Sequence, residues 1–187
     1  MILLGIIGFG LQHSGISATP IKKWTIEKWG KGPYSLIFNG TAVFMLLVTV
    51  KILNFSDWLY FVKSSTAIQW HLFVPGMVLI SLGIIVGAAA STVISVSTIA
   101  DMRTKRQDNL VTQGIYAQIR HPLYLAALLL FIGMALVYPL PEISVFSSAF
   151  CGYILLGSYL EERKLIEQYG QAYITYRKKT GFLFPKF

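Results

Sequence analysis

Arg120-His121-Pro122-Leu123-Tyr124 opens an apolar run that reaches Tyr138, turns over Pro139-Leu140-Pro141-Glu142, returns as Ile143 to Leu160 and ends in Glu161-Glu162-Arg163. Pro-Leu-Pro is too short for anything but a tight connection. The stretch therefore predicts a helical hairpin whose two ends come back to one boundary. An arginine, a histidine, a tyrosine and two carboxylates gather at that boundary. Ionisable groups are costly near a bilayer, so such a cluster is a candidate functional site.

The rest of the chain fits a membrane setting. Of its 187 residues 55% are hydrophobic and 13% charged, with mean hydropathy +0.61. A soluble domain carries about twice that share of charge. The apolar residues also come in long blocks rather than in an amphipathic pattern. The net charge of +8 does not point to nucleic acid, because the basic residues fall in three clusters, Lys22 to Lys31, Arg103 to Arg120 and Arg163 to Lys186. No basic stripe interleaved with exposed aromatics is present. A positive-inside bias accounts for the excess.

Five apolar segments are visible: Met1 to about Ile16, Tyr34 to Leu53, about Trp70 to Ala100, Leu123 to Tyr138, and Ile143 to Leu160. The fold class expected is all-α, a polytopic transmembrane bundle of about five spans followed by a cytoplasmic amphipathic helix. The first segment is short for a span and lacks the basic lead of a signal peptide, so it reads as a retained span. With five crossings, 14 of the 16 Lys and Arg share one side, and only Lys51 and Lys63 fall opposite. That puts the N-terminus outside and the C-terminal tail in the cytoplasm. Two regions follow, residues 1–100 with the first three spans and residues 101–187 with the hairpin and C-terminal helix.

Several smaller features complete the picture. Phe55 to Gln69, followed by Trp70, reads as an aromatic stretch at the outer interface. Gly83, Gly87 and Ala88-Ala89-Ala90-Ser91 form a small-residue face suited to close helix packing or to a ligand against the backbone. Leu165, Tyr169, Ala172 or Tyr173, and Tyr176 recur at helical spacing after the fifth span. Gly170 marks a break there. Cys151, the sole cysteine, reads as a small packed hydrophobe. No metal is expected.

Chemically, Pro122 suits the first turn of a helix, with Arg120 and His121 just ahead of it and Tyr124 one turn on. Glu161 and Glu162 close the returning helix, where adjacent carboxylates repel one another and oppose the helix dipole. Cations must stand nearby, either Arg120 and Arg163 or a bound ligand. Spacing leaves two readings open: an Arg–Glu latch between helices, or a ligand site.

Leu110-Val111-Thr112-Gln113-Gly114-Ile115-Tyr116, then Arg120-His121-Pro122-Leu123-Tyr124, then Glu161-Glu162, then Tyr169-Gly170-Gln171-Ala172-Tyr173 with Tyr176, and Gly181-Phe182-Leu183-Phe184-Pro185 strongly resemble the integral-membrane S-adenosylmethionine methyltransferases. That family includes isoprenylcysteine carboxyl methyltransferases and phospholipid N-methyltransferases. The resemblance implies S-adenosylmethionine as cofactor, enclosed by the hairpin and the C-terminal helix at the cytoplasmic face. It implies that Arg120, His121, Tyr124, Glu161 and Glu162 hold the methionine end and ribose, and that Leu110, Val111, Gly114 and Tyr116 line the adenosine. Gly10-Leu11-Gln12-His13-Ser14-Gly15, Pro20, Lys22-Lys23-Trp24 and Tyr34 are similar to the NnrU-type branch that includes methanethiol S-methyltransferases, with Ala18-Thr19-Pro20 where that branch usually has Ala-Arg-Pro.

Methyl transfer from a sulfonium needs positioning and water exclusion above all. A carboxylate acceptor needs no base, whereas a thiol or an ammonium must first lose a proton. His13 and Arg120 are the catalytic candidates, His13 as that base. The expected acceptor is a small thiol or a lipophilic, prenylcysteine-type molecule, and the expected surroundings are membrane lipids. Sterol C14-reductases resemble the C-terminal motif but need about ten spans. A non-catalytic scaffold or transport-associated protein is the alternative class.

Overall fold

Proline and glycine mark several helix boundaries in the chain, among them Gly30, Pro122, Pro141 and Gly170. The computed structural model describes residues 7–8, 10–11, 19–52, 64–94 and 110–186. Its helices there are α1 (Thr19–Trp29), α2 (Lys31–Ile52), α3 (Trp70–Val93), α4 (Pro122–Val137), α5 (Pro141–Tyr169) and α6 (Gln171–Lys179), with single 3-10 turns at Ser65–Ala67 and Gly114–Ala117. Among the described residues there is no β-strand, only an isolated parallel bridge between Ile119 and Gly181. The fold is all-α, as expected.

Two of these helices, α3 and α5, are long and apolar enough to cross a membrane, and α4 is a shorter apolar helix. Large apolar side chains along α3 and α5, among them Val78, Ile84, Ile85, Leu155 and Leu156, are exposed. In a membrane chain these are the side chains that face lipid. Most of the expected first span, His13 and residues 55–63 of the aromatic stretch lie outside the described residues.

The chain divides into two compact units, Met1–Trp70 with Tyr138–Phe150, and His71–Val137 with Cys151–Phe187. In the first, α1 packs on α2 across Gly30, whose φ of 86° is the left-handed conformation glycine adopts freely. Lys28 places its ammonium 4.9 and 5.4 Å from the ring centres of Trp24 and Trp29.

The second unit holds the hairpin's polar end. Here α3 and α4 approach closely where both lack side chains. A Cβ built on Gly133 would stand 2.7 Å from the Gly76 carbonyl oxygen, and one on Gly76 2.9 Å from that of Gly133. Gly83 is nearly as tight, its Cβ position 3.0 Å from the Ala126 carbonyl oxygen, while Gly87 has ordinary room at 3.5 Å from the Ala126 Cβ. The small-residue face thus makes its closest approach earlier than Gly83 to Gly87, at Gly76. On the other side of α4, Leu125 and Leu128 pack with Ile154 of α5, Ile119 and Leu183.

One boundary differs from expectation in a way that matters for the site. The returning helix does not close at Glu161-Glu162; α5 continues to Tyr169, where Gly170 (φ 54°) breaks it. The glutamates therefore sit about two turns inside the helix. The helix-dipole penalty expected of them falls away, since that effect is confined to the last turn.

Candidate functional site at the open end of the hairpin

Local sequence builds the site in three pieces. Pro122 starts α4, and the His121 carbonyl accepts the first intrahelical bond, from Leu125 N–H at 3.0 Å. His121 is thereby fixed at the helix mouth, 4% exposed. The segment before it is held by the chain's far end. Gly181 N–H donates to the Gln118 carbonyl (3.0 Å), Arg120 N–H to that of Gly181 (2.9 Å) and His121 N–H to that of Phe182 (3.1 Å). Glycine is required at 181 because any Cβ there would collide with the Phe184 carbonyl.

Glu162 is the hub. Its Oε1 accepts from Arg120 Nε at 2.7 Å and from the Tyr173 hydroxyl at 3.0 Å. Arg177 Nε stands 3.5 Å from Oε2. His121 Nε2 lies 3.4 Å from Oε1, an ion-pair distance without hydrogen-bond alignment, so this buried nitrogen makes no hydrogen bond. The Arg120 and Glu162 side chains are only 7% and 8% exposed. Arg120 Nη1 also donates to the carbonyls of Arg177, at 3.2 Å, and Thr180. One guanidinium thus ties α5 to the end of α6, in the fork geometry that suits arginine rather than lysine.

The electrostatics follow from burial and pairing. Burial pushes the Glu162 carboxyl up, but the Arg120 hydrogen bond and charge, with the Tyr173 hydroxyl and His121, bring it below the usual carboxylate range. Burial lowers His121 and prevails over the carboxylates of Glu161 and Glu162 that raise it, so the ring is neutral at pH 7. Burial, with Glu161 and Tyr176 adding, raises Tyr116 to about 12. Burial likewise pushes Tyr176 to about 12 and raises Tyr173 further still, with Glu162 adding to both. All three hydroxyls keep their protons. The cluster therefore holds hydroxyl donors, a neutral imidazole and an ionised carboxylate.

Other expected site residues fall around this hub. Glu161, one position along α5, is half-buried and among the described residues makes no hydrogen bond or ion pair. Tyr124 packs edge-on against His121 with ring centres 5.5 Å apart. Tyr116 is buried with Ala90 and Ile94, with Val111 packed against them, and its carbonyl accepts the Tyr176 hydroxyl at 2.6 Å. Leu110, next to Val111 in the chain, is half-buried. Gly114 starts the 3-10 turn at φ 58°, where its Cβ position lies 2.7 Å from Val93 Cγ2, so its turn alone accounts for a glycine. Among the described residues no group of His, Cys, Asp and Glu stands arranged to hold a metal.

Two cation assignments change. Arg163 turns to Tyr159, whose hydroxyl it meets at 3.3 Å, and Arg177 takes the place by the glutamates instead. Tyr173 and Tyr176 also belong to the cluster although spacing marks them only as the apolar side of an amphipathic helix. Their signal is a polar tip on an otherwise buried face, since Tyr brings an apolar body and a hydroxyl that needs a partner.

Against known proteins, the family model described as phospholipid methyltransferase matches residues 71–172. Three methanethiol S-methyltransferases are similar. That of Pseudomonas sp. strain GM41 is 26% identical over 174 residues, covering 90% of this chain and 51% of that protein. That of Pseudomonas deceptionensis is 36% identical over 78 residues, 40% of this chain and 28% of that protein. That of Crocosphaera subtropica is 26% identical over 191 residues, 99% of this chain and 74% of that protein. The chain thus spans about half the length of the first of these and less of the second. No solved structure matches it significantly. The family match covers more than half of the 187 residues and includes the whole of Arg120 to Glu162. This chain belongs to the phospholipid methyltransferase family.

Proposed function

We propose that the chain is a multi-pass membrane methyltransferase that uses S-adenosylmethionine to methylate a small thiol, at a site on the cytoplasmic ends of α4 and α5. The gathering of Arg120, His121 and Glu162, with Glu161 unpartnered among the described residues beside them, supports this most. The activity named for the similar proteins favours a thiol over a prenylcysteine carboxylate. Five crossings follow from the five apolar segments, and the cytoplasmic side from the clustering of Lys and Arg. Residues 101–187 form the cofactor region on this reading, and residues 1–100 the first three spans.

The side chains suit this methyl donor. Its cationic amino group fits Glu161, its carboxylate fits the imidazole of His121, and Tyr124 stands beside that imidazole. The buried Nε2 of His121, without a hydrogen bond, is a polar atom in want of a ligand. The half-buried apolar surface of Leu110 and Val111, with Gly114 and Tyr116, suits the adenosine. When bound, the sulfonium supplies an activated methyl group. The protein positions the acceptor and keeps water out. A thiol must also lose its proton, and His13 is the proposed base.

The test is methyl transfer from labelled S-adenosylmethionine to a short alkyl thiol, a farnesylcysteine and phosphatidylethanolamine, with full-length protein in lipid nanodiscs. Label on the thiol is expected, with His13→Ala losing that activity. Label only on farnesylcysteine or lipid would overturn the thiol assignment. No product and no calorimetric binding of S-adenosylhomocysteine would leave the scaffold alternative.

A further inference from the structure

We propose that the two adjacent glutamates do different jobs: Glu162, with Arg120 and Tyr173, is a latch that clamps the C-terminal helix onto the hairpin, while Glu161 is the carboxylate that meets the ligand's cationic group. The second half rests on the methyl-donor reading above; the first does not.

The geometry carries the division. Two donors converge on Glu162 Oε1, a second cation stands 3.5 Å from Oε2, and the side chain is 8% exposed. A carboxylate so occupied has little left to offer a ligand. These partners come from two separate places, Arg120 ahead of α4 and Tyr173 with Arg177 on α6. Glu162 itself is on α5. Arg120 is equally committed, with Nε on Glu162 and Nη1 on the carbonyls of Arg177 and Thr180. It bridges a side chain and the end of a helix, and lysine cannot reproduce that fork.

Tyr173 is the least replaceable member. It is 1% exposed, its ring packs 5.8 Å from that of Tyr176, and Tyr176 in turn donates to the Tyr116 carbonyl. The latch therefore also pins the 3-10 turn before Arg120. Beyond α6 the chain runs directly into Gly181 and Phe182, whose carbonyls hold the backbone of Arg120 and His121. Phe182 packs edge-on to His121, ring centres 4.9 Å apart. Releasing α6 would loosen His121 from two directions. Arg120, Glu162 and Tyr173 are thus positioning residues that act through His121.

Glu161 is placed differently. Successive residues on a helix point about 100° apart, so Glu161 cannot share the latch. It is half-buried and without a partner among the described residues, yet near enough to act on both His121 and Tyr116.

Two measurements on full-length protein in nanodiscs separate the roles: hydrogen exchange at the amides of Arg120, His121 and Gly181, and calorimetric affinity for S-adenosylhomocysteine. Tyr173→Phe, Glu162→Gln and Arg120→Lys should speed exchange on the order of tenfold or more, the loss expected for a hydrogen bond to a charged group. Their affinity should weaken, and saturating S-adenosylhomocysteine should restore the protection. Glu161→Gln should leave exchange at the wild-type rate and weaken affinity on the order of tenfold or more. Wild-type exchange in Glu162→Gln together with lost affinity would make Glu162 a ligand and overturn the latch. Should Glu162→Gln not fold, wild-type exchange in Tyr173→Phe overturns the latch equally. Wild-type affinity in Glu161→Gln would overturn its assignment. A wild-type protein that binds no S-adenosylhomocysteine would refute the methyl-donor reading and the Glu161 half with it, while the exchange rates still decide the latch.

Discussion

Replacing Gly133 with alanine tests the close approach of α3 and α4, and its size can be worked out atom by atom. The added Cβ would stand 2.7 Å from the Gly76 oxygen, 2.8 Å from Ile80 Cγ1 and 3.0 Å from Ile80 N. Two of those three atoms are backbone, so no rotamer change relieves the clash and the helices must part. Forcing an extra carbon into a packed site costs about 1–3 kcal/mol. Alanine returns about 1 kcal/mol in helix propensity over glycine, for a net loss of up to about 2 kcal/mol. In a membrane, close packing is itself a main force holding helices together, so no hydrophobic gain offsets the separation. Gly87→Ala is the control: its Cβ meets only the Ala126 Cβ at 3.5 Å, so the propensity gain stands and stability rises slightly or holds. Gly83→Ala should fall between, with the Ala126 oxygen at 3.0 Å. Unfolding by sodium dodecyl sulfate in mixed micelles, followed by circular dichroism, should rank Gly87→Ala above Gly83→Ala above Gly133→Ala. A Gly133→Ala protein as stable as Gly87→Ala would refute the close crossing.

Three further outcomes are expected from the same titration. Tyr176→Phe leaves the Tyr116 carbonyl without its donor and should cost about 1–3 kcal/mol. Gly114→Ala forces a side chain into the left-handed region and against Val93, costing about 1–2 kcal/mol from the backbone alone. Stability should also fall as the pH drops below about 6.5. Burial holds His121 below its ordinary value, so on acidification the unfolded chain takes up a proton that the folded chain resists. The folded state is thus fully favoured above that pH and loses ground beneath it, and His121→Gln should flatten the slope between pH 5 and 7. An unchanged slope would mean another group titrates there.

What sequence can and cannot say about this site comes down to which physical signals are local. Pro122 announces a helix start, Pro139-Leu140-Pro141 a tight turn, Gly170 a break, and the apolar runs the place of the hydrophobic segments, because each depends on its own backbone or on a short window of residues. That Arg120, His121 and Glu162 meet is legible too, since a Pro-Leu-Pro turn leaves a hairpin little choice about where its ends go. The meeting of Gly76 with Gly133 is different: Gly83 and Gly87 look equally suited from their own neighbours, and only the register between two helices selects one glycine over another. The same holds for Tyr173 and Tyr176, which read as an apolar stripe because periodicity records the ring and ignores the hydroxyl. In the sequence, a latch and a ligand site are competing explanations of one acidic pair. A helix separates them instead, because it cannot turn two consecutive side chains toward the same partner. Once α5 runs on past both glutamates, a bond from Arg120 to one of them leaves the other for something else.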